Sequence, residues 1–373
     1  MQHGSGRLNK RVYFLSGFDP RGASFYYRLF AAELQRYAER TTRPLTLSRR
    51  RGQKDPLLSS WQVEESGQPL LEFCFLHWDD IARQNWPKNP LRLIWDGIGI
   101  YGWYLLGGGL VSIGRWAPTV ALCGLWPFLF FCFWFLFTLA LGIALSLWLN
   151  VWMAGAVTAA LAVLAWRLAE LQGVVWLYRS IRFTHRLGQA RDAELRERLA
   201  ALAERIIDIE RHSAAAQVEL VGHSSGSFVM AMLAATLRRQ HDCSTLATRL
   251  TLLSLGQNLA NLAVHKGAVA FHADLRMLAA PPRLPWRDIT SRDDYLCFAG
   301  VDPYRSCQLA IDDPPYPRFE LINLAQRMGL QSWWALIANQ FPLHFQYLQT
   351  APRERQGGFD YFEHLLGENS SQG

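Results

Sequence analysis

Between Trp116 and Trp166 there is not one Asp, Glu, Lys or Arg. So long an uncharged run is hard to bury in a soluble domain of this size. It does meet the need for about 20 apolar residues per helical crossing of a hydrocarbon core, and it is long enough for two. Leu149-Asn150-Val151 is a natural hinge, so a transmembrane hairpin is expected, with helices over about 118–149 and 151–171. Eleven of the 15 tryptophans fall between Trp78 and Trp176, flanking and punctuating the arms as interfacial anchors do. The preceding stretch, 91–115, is apolar but carries Arg92, Asp96 and Gly107-Gly108-Gly109. It reads as interfacial or re-entrant, not as a third span.

Other absences narrow the class further. The six cysteines (Cys74, Cys123, Cys132, Cys243, Cys297, Cys307) form no Cys-x-x-Cys pair, and two of them sit in the apolar run. That argues for free thiols in a reducing compartment and against a zinc site or a disulfide framework. The stretch from Met1 to Lys10 is polar and has no apolar core, so no cleavable signal peptide is expected. The hinge has no Lys or Arg, whereas Lys88, Arg92 and Arg115 precede the run and Arg167, Arg179, Arg182, Arg186 and Arg191 follow it. Both ends are therefore expected on the cytoplasmic side, and a bacterial inner membrane fits that reading. The net charge of +7 is assigned to these flanking arginines, and no nucleic-acid partner is expected. Arg49-Arg50-Arg51 with Lys54 reads as a solvated loop, with anionic lipid head groups as the other reading. No internal repeat is present.

Outside the apolar run, strands alternate with helices. Arg11–Ser16 is a strand leading into the turn-rich Gly17-Phe18-Asp19-Pro20-Arg21-Gly22. A helix follows over Phe25–Arg40, a short strand over Pro44–Ser48 and a strong strand over Leu70–Trp78. Beyond the run, Trp176–Ala214 reads as one charged amphipathic helix with a break at Gly188. Strands are expected up to Val221, over Arg249–Leu255, over Trp286–Ser291 and over Phe319–Leu324, with an apolar helical stretch at Leu259–Ala280. This alternation predicts an α/β domain with a mainly parallel sheet. It runs over 1–85 and 176–366, interrupted by a membrane insertion at 86–175 and followed by a polar tail at 367–373.

The chemistry centres on Val218-Glu219-Leu220-Val221-Gly222-His223-Ser224-Ser225-Gly226-Ser227. It is a strand running into Gly-x-Ser-x-Gly, with a helix over Phe228–Arg239. A nucleophilic serine at such an elbow needs a strained turn that projects its hydroxyl from the sheet. Gly222 and Gly226 remove the Cβ atoms that would clash as strand and helix close around it. Ser224 alone has glycine at both −2 and +2, which sets it above Ser225 and Ser227. The competing reading is a plain Gly/Ser turn or an anion-binding helix start.

A serine nucleophile requires a base, a group to orient that base, and donors for the oxyanion. Just past a strand end lie Asp293 and Asp294; Asp294 is preferred as the acid, with Asp293 second and Asp302 third. Each aspartate has an ordinary alternative as a turn or cap residue. His344, near the C-terminus and beyond the last clear strand, is preferred as the base, with His364 as runner-up. A lone histidine among aromatics is often structural, and only geometry separates the two roles. His223 is read as a support for the elbow.

On Gly222–Gly226 and the order Ser224, Asp294, His344, the chain resembles the α/β-hydrolase superfamily of lipases and esterases. The resemblance implies that the backbone N–H groups of Phe18 and Ser225 form the oxyanion hole, with Ser16-Gly17-Phe18 standing where the family often has His-Gly. It covers Arg11–Trp78 and Trp176 to about His364, and is specific only at the elbow. It implies a carboxylic ester hydrolase without a cofactor or metal, which the apolar hairpin would anchor in a membrane. If the Leu70–Trp78 strand and the nucleophile strand are neighbours, the site mouth faces the membrane segment and takes an amphiphilic ester from the bilayer. Acyl transfer and an inert hydrolase-fold scaffold are the other readings. A transporter is disfavoured, because an uncharged hairpin offers no pathway.

Overall fold

The computed structural model of the chain describes residues 8–52, 54–213, 215–240, 244–309, 311, 317–352 and 358–367. Cys243, most of the polar N-terminus and the tail beyond Gly367 lie outside the described residues. Two compact units result: Met1–Trp86 with Arg186–Gly373, and Pro87–His185. The insertion thus runs ten residues past the expected end at 175.

Unit 1 begins with β1 (Lys10–Leu15), α1 (Gly22–Thr41), β2 (Leu45–Leu47), β3 (Leu58–Glu65), β4 (Gln68–Leu76) and α2 (Asp79–Gln84). Unit 2 holds α3 (Pro90–Leu105), α4 (Gly109–Gly114), α5 (Pro118–Ser146), α6 (Val151–Leu171) and most of α7 (Val174–Gly188). The chain returns through α8 (Ala193–His212), β5 (Gln217–His223), α9 (Gly226–Arg239), α10 (Ser244–Ala247) and β6 (Leu250–Leu255). Then come α11 (Leu259–Ala263), α12 (Val269–Ala279), β7 (Trp286–Thr290), α13 (Pro303–Ser306) and β8 (Arg318–Leu321). It closes with α14 (Leu324–Met328), α15 (Trp333–Ala338), α16 (Gln340–His344) and α17 (Tyr361–Leu366).

The eight strands form one sheet in the order β2-β3-β4-β1-β5-β6-β7-β8. From β4 to β8 every pairing is parallel. The β2-β3-β4 end is an antiparallel meander, so the sheet is mixed though mostly parallel. Strand β3 went unread in the sequence, because Ser59, Ser60, Gln62 and Glu64 mask its pattern. Strand β1 lies between β4 and β5, so the Leu70–Trp78 strand and the nucleophile strand are not neighbours. The premise on which a site mouth facing the membrane segment was expected is therefore not met.

The central strands are covered on both faces, which is why they read as near-continuous apolar runs. Val12 and Phe14, two apart and so on one face, join Phe73, Phe75, Val221 and Leu253 under Tyr26, Phe30 and Leu34 of α1. On the other face α9 lies against β5, flanked by α8 and α12. Each Phe or Leu shut away here contributes about 1.5–3 kcal/mol.

The charged stretch over 176–214 is two helices, α7 and α8, divided at Gly188 where the break was expected; a Cβ there would run into the His265 ring. The stretch 259–280 also divides into α11 and α12. At Gly267 between them, a Cβ would sit 2.5 Å from the Gly188 carbonyl oxygen.

In unit 2, α5 and α6 are each long and apolar enough to cross a membrane. Asn150 caps α6 by accepting from the Met153 N–H at 2.9 Å, so the hinge stands where the sequence set it. Asp96, out of character in an apolar stretch, pairs with Arg182 of α7. Tyr178 donates to the Leu93 carbonyl at 2.5 Å and stacks on Tyr101 with centroids 5.9 Å apart. These bonds fix α3 against α7.

Candidate active site

Four adjacent parallel strands, β1, β5, β6 and β7, deliver side chains and loops from their carboxyl ends. This is the edge where open α/β sheets place their ligands. Ser224 follows β5 with φ of 56°, the left-handed region that costs a non-glycine residue roughly 1–3 kcal/mol. The surroundings hold it there. Its N–H donates to the Leu255 carbonyl at 2.9 Å. The Ser227 hydroxyl donates to the Ser224 carbonyl at 2.6 Å and accepts from the Asn258 N–H at 3.0 Å. Both flanking glycines are sterically required. A Cβ on Gly222 would lie 2.5 Å from the Gly226 oxygen, and one on Gly226 would drive into the Leu15 and Ser16 carbonyls.

The loop after β1 lies against the serine: a Cβ on Gly17 would be 3.1 Å from Ser224 Cβ and 3.4 Å from its Oγ. This loop is pinned from several sides. Trp78 Nε1 donates to the Ser16 carbonyl at 3.1 Å. Phe18 stacks on Trp86 with centroids 5.4 Å apart. Buried Asp19 accepts from Arg21 Nε at 2.9 Å and from the Tyr26 hydroxyl at 3.1 Å. Ser225 is the N-cap of α9, where the first backbone N–H groups lack partners within the helix. The loop after β1 thus approaches Ser224 at Gly17, while Ser225 stands at a helix start.

Asp294 and His344, fifty residues apart, meet at 2.6 Å between Oδ2 and Nδ1. A carboxylate only accepts, so Nδ1 carries the proton and Nε2 presents its lone pair. The other Asp294 oxygen accepts from the Leu296 N–H at 3.0 Å. His344 Nε2 is buried and, among the described residues, without a hydrogen-bond partner. The His344 ring lies over Gly256, the residue after Leu255; a Cβ there would be 3.2 Å from His344 Cε1. Leu255 in turn holds the Ser224 N–H, so His344 and Ser224 border the same turn. Ser224 is 7% exposed and His344 and Asp294 are 1%, a low-polarity setting in which charge and dipole interactions strengthen.

His223 reaches across from the elbow: its Nε2 donates to the His344 carbonyl at 2.9 Å. Burial, helped by the neighbouring His344, pushes its pKa down to about 3, so it stays neutral and acts as a fixed donor. Asn258, not anticipated from the sequence, donates from Nδ2 to Ser224 Oγ at 3.3 Å. Gln340 was also missed. Its amide accepts from the Tyr295 N–H at 2.7 Å and donates to the Asp293 carbonyl at 3.0 Å, tying the acid-bearing loop to the helix of the base.

The runners-up are elsewhere. Asp293 turns away from the histidine and accepts from the Ala325 N–H at 3.0 Å and the Ser291 hydroxyl at 3.2 Å. Asp302 caps α13, accepting from the Tyr304 N–H at 2.8 Å. His364 bonds Glu219 at 2.8 Å, about 16 Å back along the β5 strand from Ser224 at the usual rise per residue. Burial would raise Glu219, but His364 and Lys10 outweigh it and hold its pKa down to about 2. Among the described residues no group of three or more His, Cys, Asp or Glu is placed to hold a metal ion.

No family model, curated protein or solved structure matches this chain.

Proposed function

We propose that the chain is a membrane-anchored serine hydrolase of the α/β-hydrolase type that cleaves a carboxylic ester. The observation that carries this reading is the buried Asp294–His344 pair, with Nε2 unpaired, beside a serine held in a left-handed conformation. A strand-to-helix elbow with strain at one serine is what nucleophile exposure requires.

In this reading His344 Nε2 takes the proton of Ser224 Oγ as Oγ bonds to the ester carbonyl carbon. The N–H groups of Phe18 and Ser225 receive the oxyanion, and Asp294 stabilises the imidazolium. As the carbonyl re-forms, the carbon–oxygen bond to the alcohol breaks, and the alcohol leaves with the proton from Nε2. Water then gives a proton to Nε2 and its oxygen to the acyl carbon. The acid departs and Oγ regains its proton. The Oγ–Nε2 hydrogen bond is absent in the resting site, where Asn258 holds Oγ; such bonds often tighten only when substrate binds. The two apolar helices α5 and α6 support a membrane anchor, with the catalytic unit on the cytoplasmic side as the flanking arginines suggest.

The test is labelling with a fluorophosphonate probe. The intact protein is expected to label and Ser224→Ala is not. Labelling that survives the substitution removes Ser224 as nucleophile, and no labelling of the intact protein favours an inert scaffold.

A further inference from the structure

Helix α15 has no buried residue. Trp333 is 57% exposed, Trp334 74% and Ile337 40%. The other described tryptophans of unit 1 are treated differently: Trp61, Trp78 and Trp286 are fully enclosed and Trp86 is half-buried. Among the described residues of unit 1, the large apolar side chains left exposed are Val269, Phe319, Leu321, Trp333, Trp334 and Ile337. Half of them, with both tryptophans, sit on this one six-residue helix. A surface helix in water ordinarily turns charged residues outward. Here the chain from Gly329 to Pro352 has no Asp, Glu, Lys or Arg at all.

The helix is not a loose segment. The Ser332 hydroxyl accepts from the Ala335 N–H at 3.1 Å at its start, and the Asn339 amide donates to the Ala335 carbonyl at 2.7 Å at its end. Gln340 then joins it to the active-site loops through the Leu336 carbonyl at 3.1 Å, the Asp293 carbonyl and the Tyr295 N–H. Four residues further on is His344. The exposed tryptophans are therefore coupled rigidly to the base and to the loop of the acid.

We propose that α15 is a bilayer-docking surface, which seats the catalytic unit on lipid and presents membrane-resident esters to Ser224. A lipid surface is the occupant for three reasons. Paired tryptophans with an aliphatic neighbour suit the boundary between head groups and acyl chains. The charge-free stretch 329–352 itself offers a protein partner no ionic feature to recognise, whereas an apolar patch of this kind needs cover. The same chain also carries two helices long and apolar enough to cross a bilayer. Docking stands independently of the chemistry, while the presentation of substrate rests on the serine-hydrolase reading.

The experiment uses the full chain in proteoliposomes of phosphatidylethanolamine and phosphatidylglycerol. A spin label is placed by Trp334→Cys, with a label at Glu39→Cys, exposed on α1, as the aqueous control and the unsubstituted protein as background. The label at 334 is expected to sit about 5–10 Å into the head-group and acyl boundary, open to oxygen and shielded from a water-soluble nickel complex. In parallel, the Trp333→Ser/Trp334→Ser variant is expected to lower the ratio of turnover of bilayer-borne p-nitrophenyl palmitate to that of soluble p-nitrophenyl acetate by about tenfold. A label at 334 as open to nickel as the label at 39 overturns docking. A turnover ratio equal to that of the intact protein overturns presentation of substrate. If the intact protein cleaves neither ester, the hydrolase reading and substrate presentation both fall, and the label still decides docking.

Discussion

Oδ2 of Asp294 and Nδ1 of His344 stand 2.6 Å apart with their side chains 0% and 1% exposed. A hydrogen bond so enclosed holds the imidazole in one orientation, which in the proposed mechanism leaves Nε2 for proton transfer. Replacing Asp294 by Asn keeps the shape but permits the wrong tautomer. Turnover of p-nitrophenyl butyrate is expected to fall by about 10⁴, with the melting curve little changed. A loss below tenfold would mean that Asp294 is not the orienting acid.

Ser224 gives a stability prediction that is independent of activity. Its φ of 56° strains any side chain with a Cβ, so Ser224→Ala retains the strain and Ser224→Gly relieves it. Glycine is expected to be more stable than alanine here by about 1 kcal/mol. Thermal unfolding of the two inactive variants, compared in one detergent, checks the order; an alanine variant that melts higher contradicts the strained elbow.

Asn258 holds Ser224 Oγ from a distance of 3.3 Å. Removing that amide by Asn258→Ala is expected to lower kcat/KM by about tenfold, the worth of one hydrogen bond near a group that develops charge. Asn258→Asp should be more harmful, since a carboxylate would face the attacking oxygen. Steady-state kinetics and the rate of fluorophosphonate labelling report this together.

Asp288 gives the pH dependence. It is fully buried on β7, its Oδ1 bonded to the Ser254 hydroxyl at 2.5 Å and its Oδ2 without a partner among the described residues. Burial raises its pKa to about 8. The folded state therefore keeps a proton that the unfolded chain releases near the ordinary value of 3.8. This contribution to stability is fully present below that ordinary value. It declines as pH rises toward 8, at up to about 1.4 kcal/mol per pH unit. Asp288→Asn should remove the decline, so that variant and intact protein differ more in its favour at pH 8 than at pH 5. Parallel pH profiles of melting temperature would refute the assignment.

What could be read directly from the chain was what local chemistry alone decides. The two long apolar helices α5 and α6 were legible because Trp116–Trp166 lacks charge over a length that two membrane crossings would need. The elbow was legible because strand, turn and helix are contiguous and its two glycines answer a local steric demand. Tertiary structure alone could separate Asp294 from Asp293, which are adjacent and chemically alike. One is turned to His344 and the other is used by the Ala325 N–H. It also separated His344 from His364, placing them at opposite ends of the sheet. Asn258 was illegible because an asparagine after a strand reads as a turn residue, and its amide meets Ser224 only across 34 residues of chain. The strand Leu58–Glu65 was hidden because its polar residues pair within the sheet, where burial follows from neighbours and not from its own pattern. Hydrophobicity, charge and glycine placement act over a few residues and are written in order along the chain. The facing of side chains across strands depends on packing and register, which exist only once the sheet has formed.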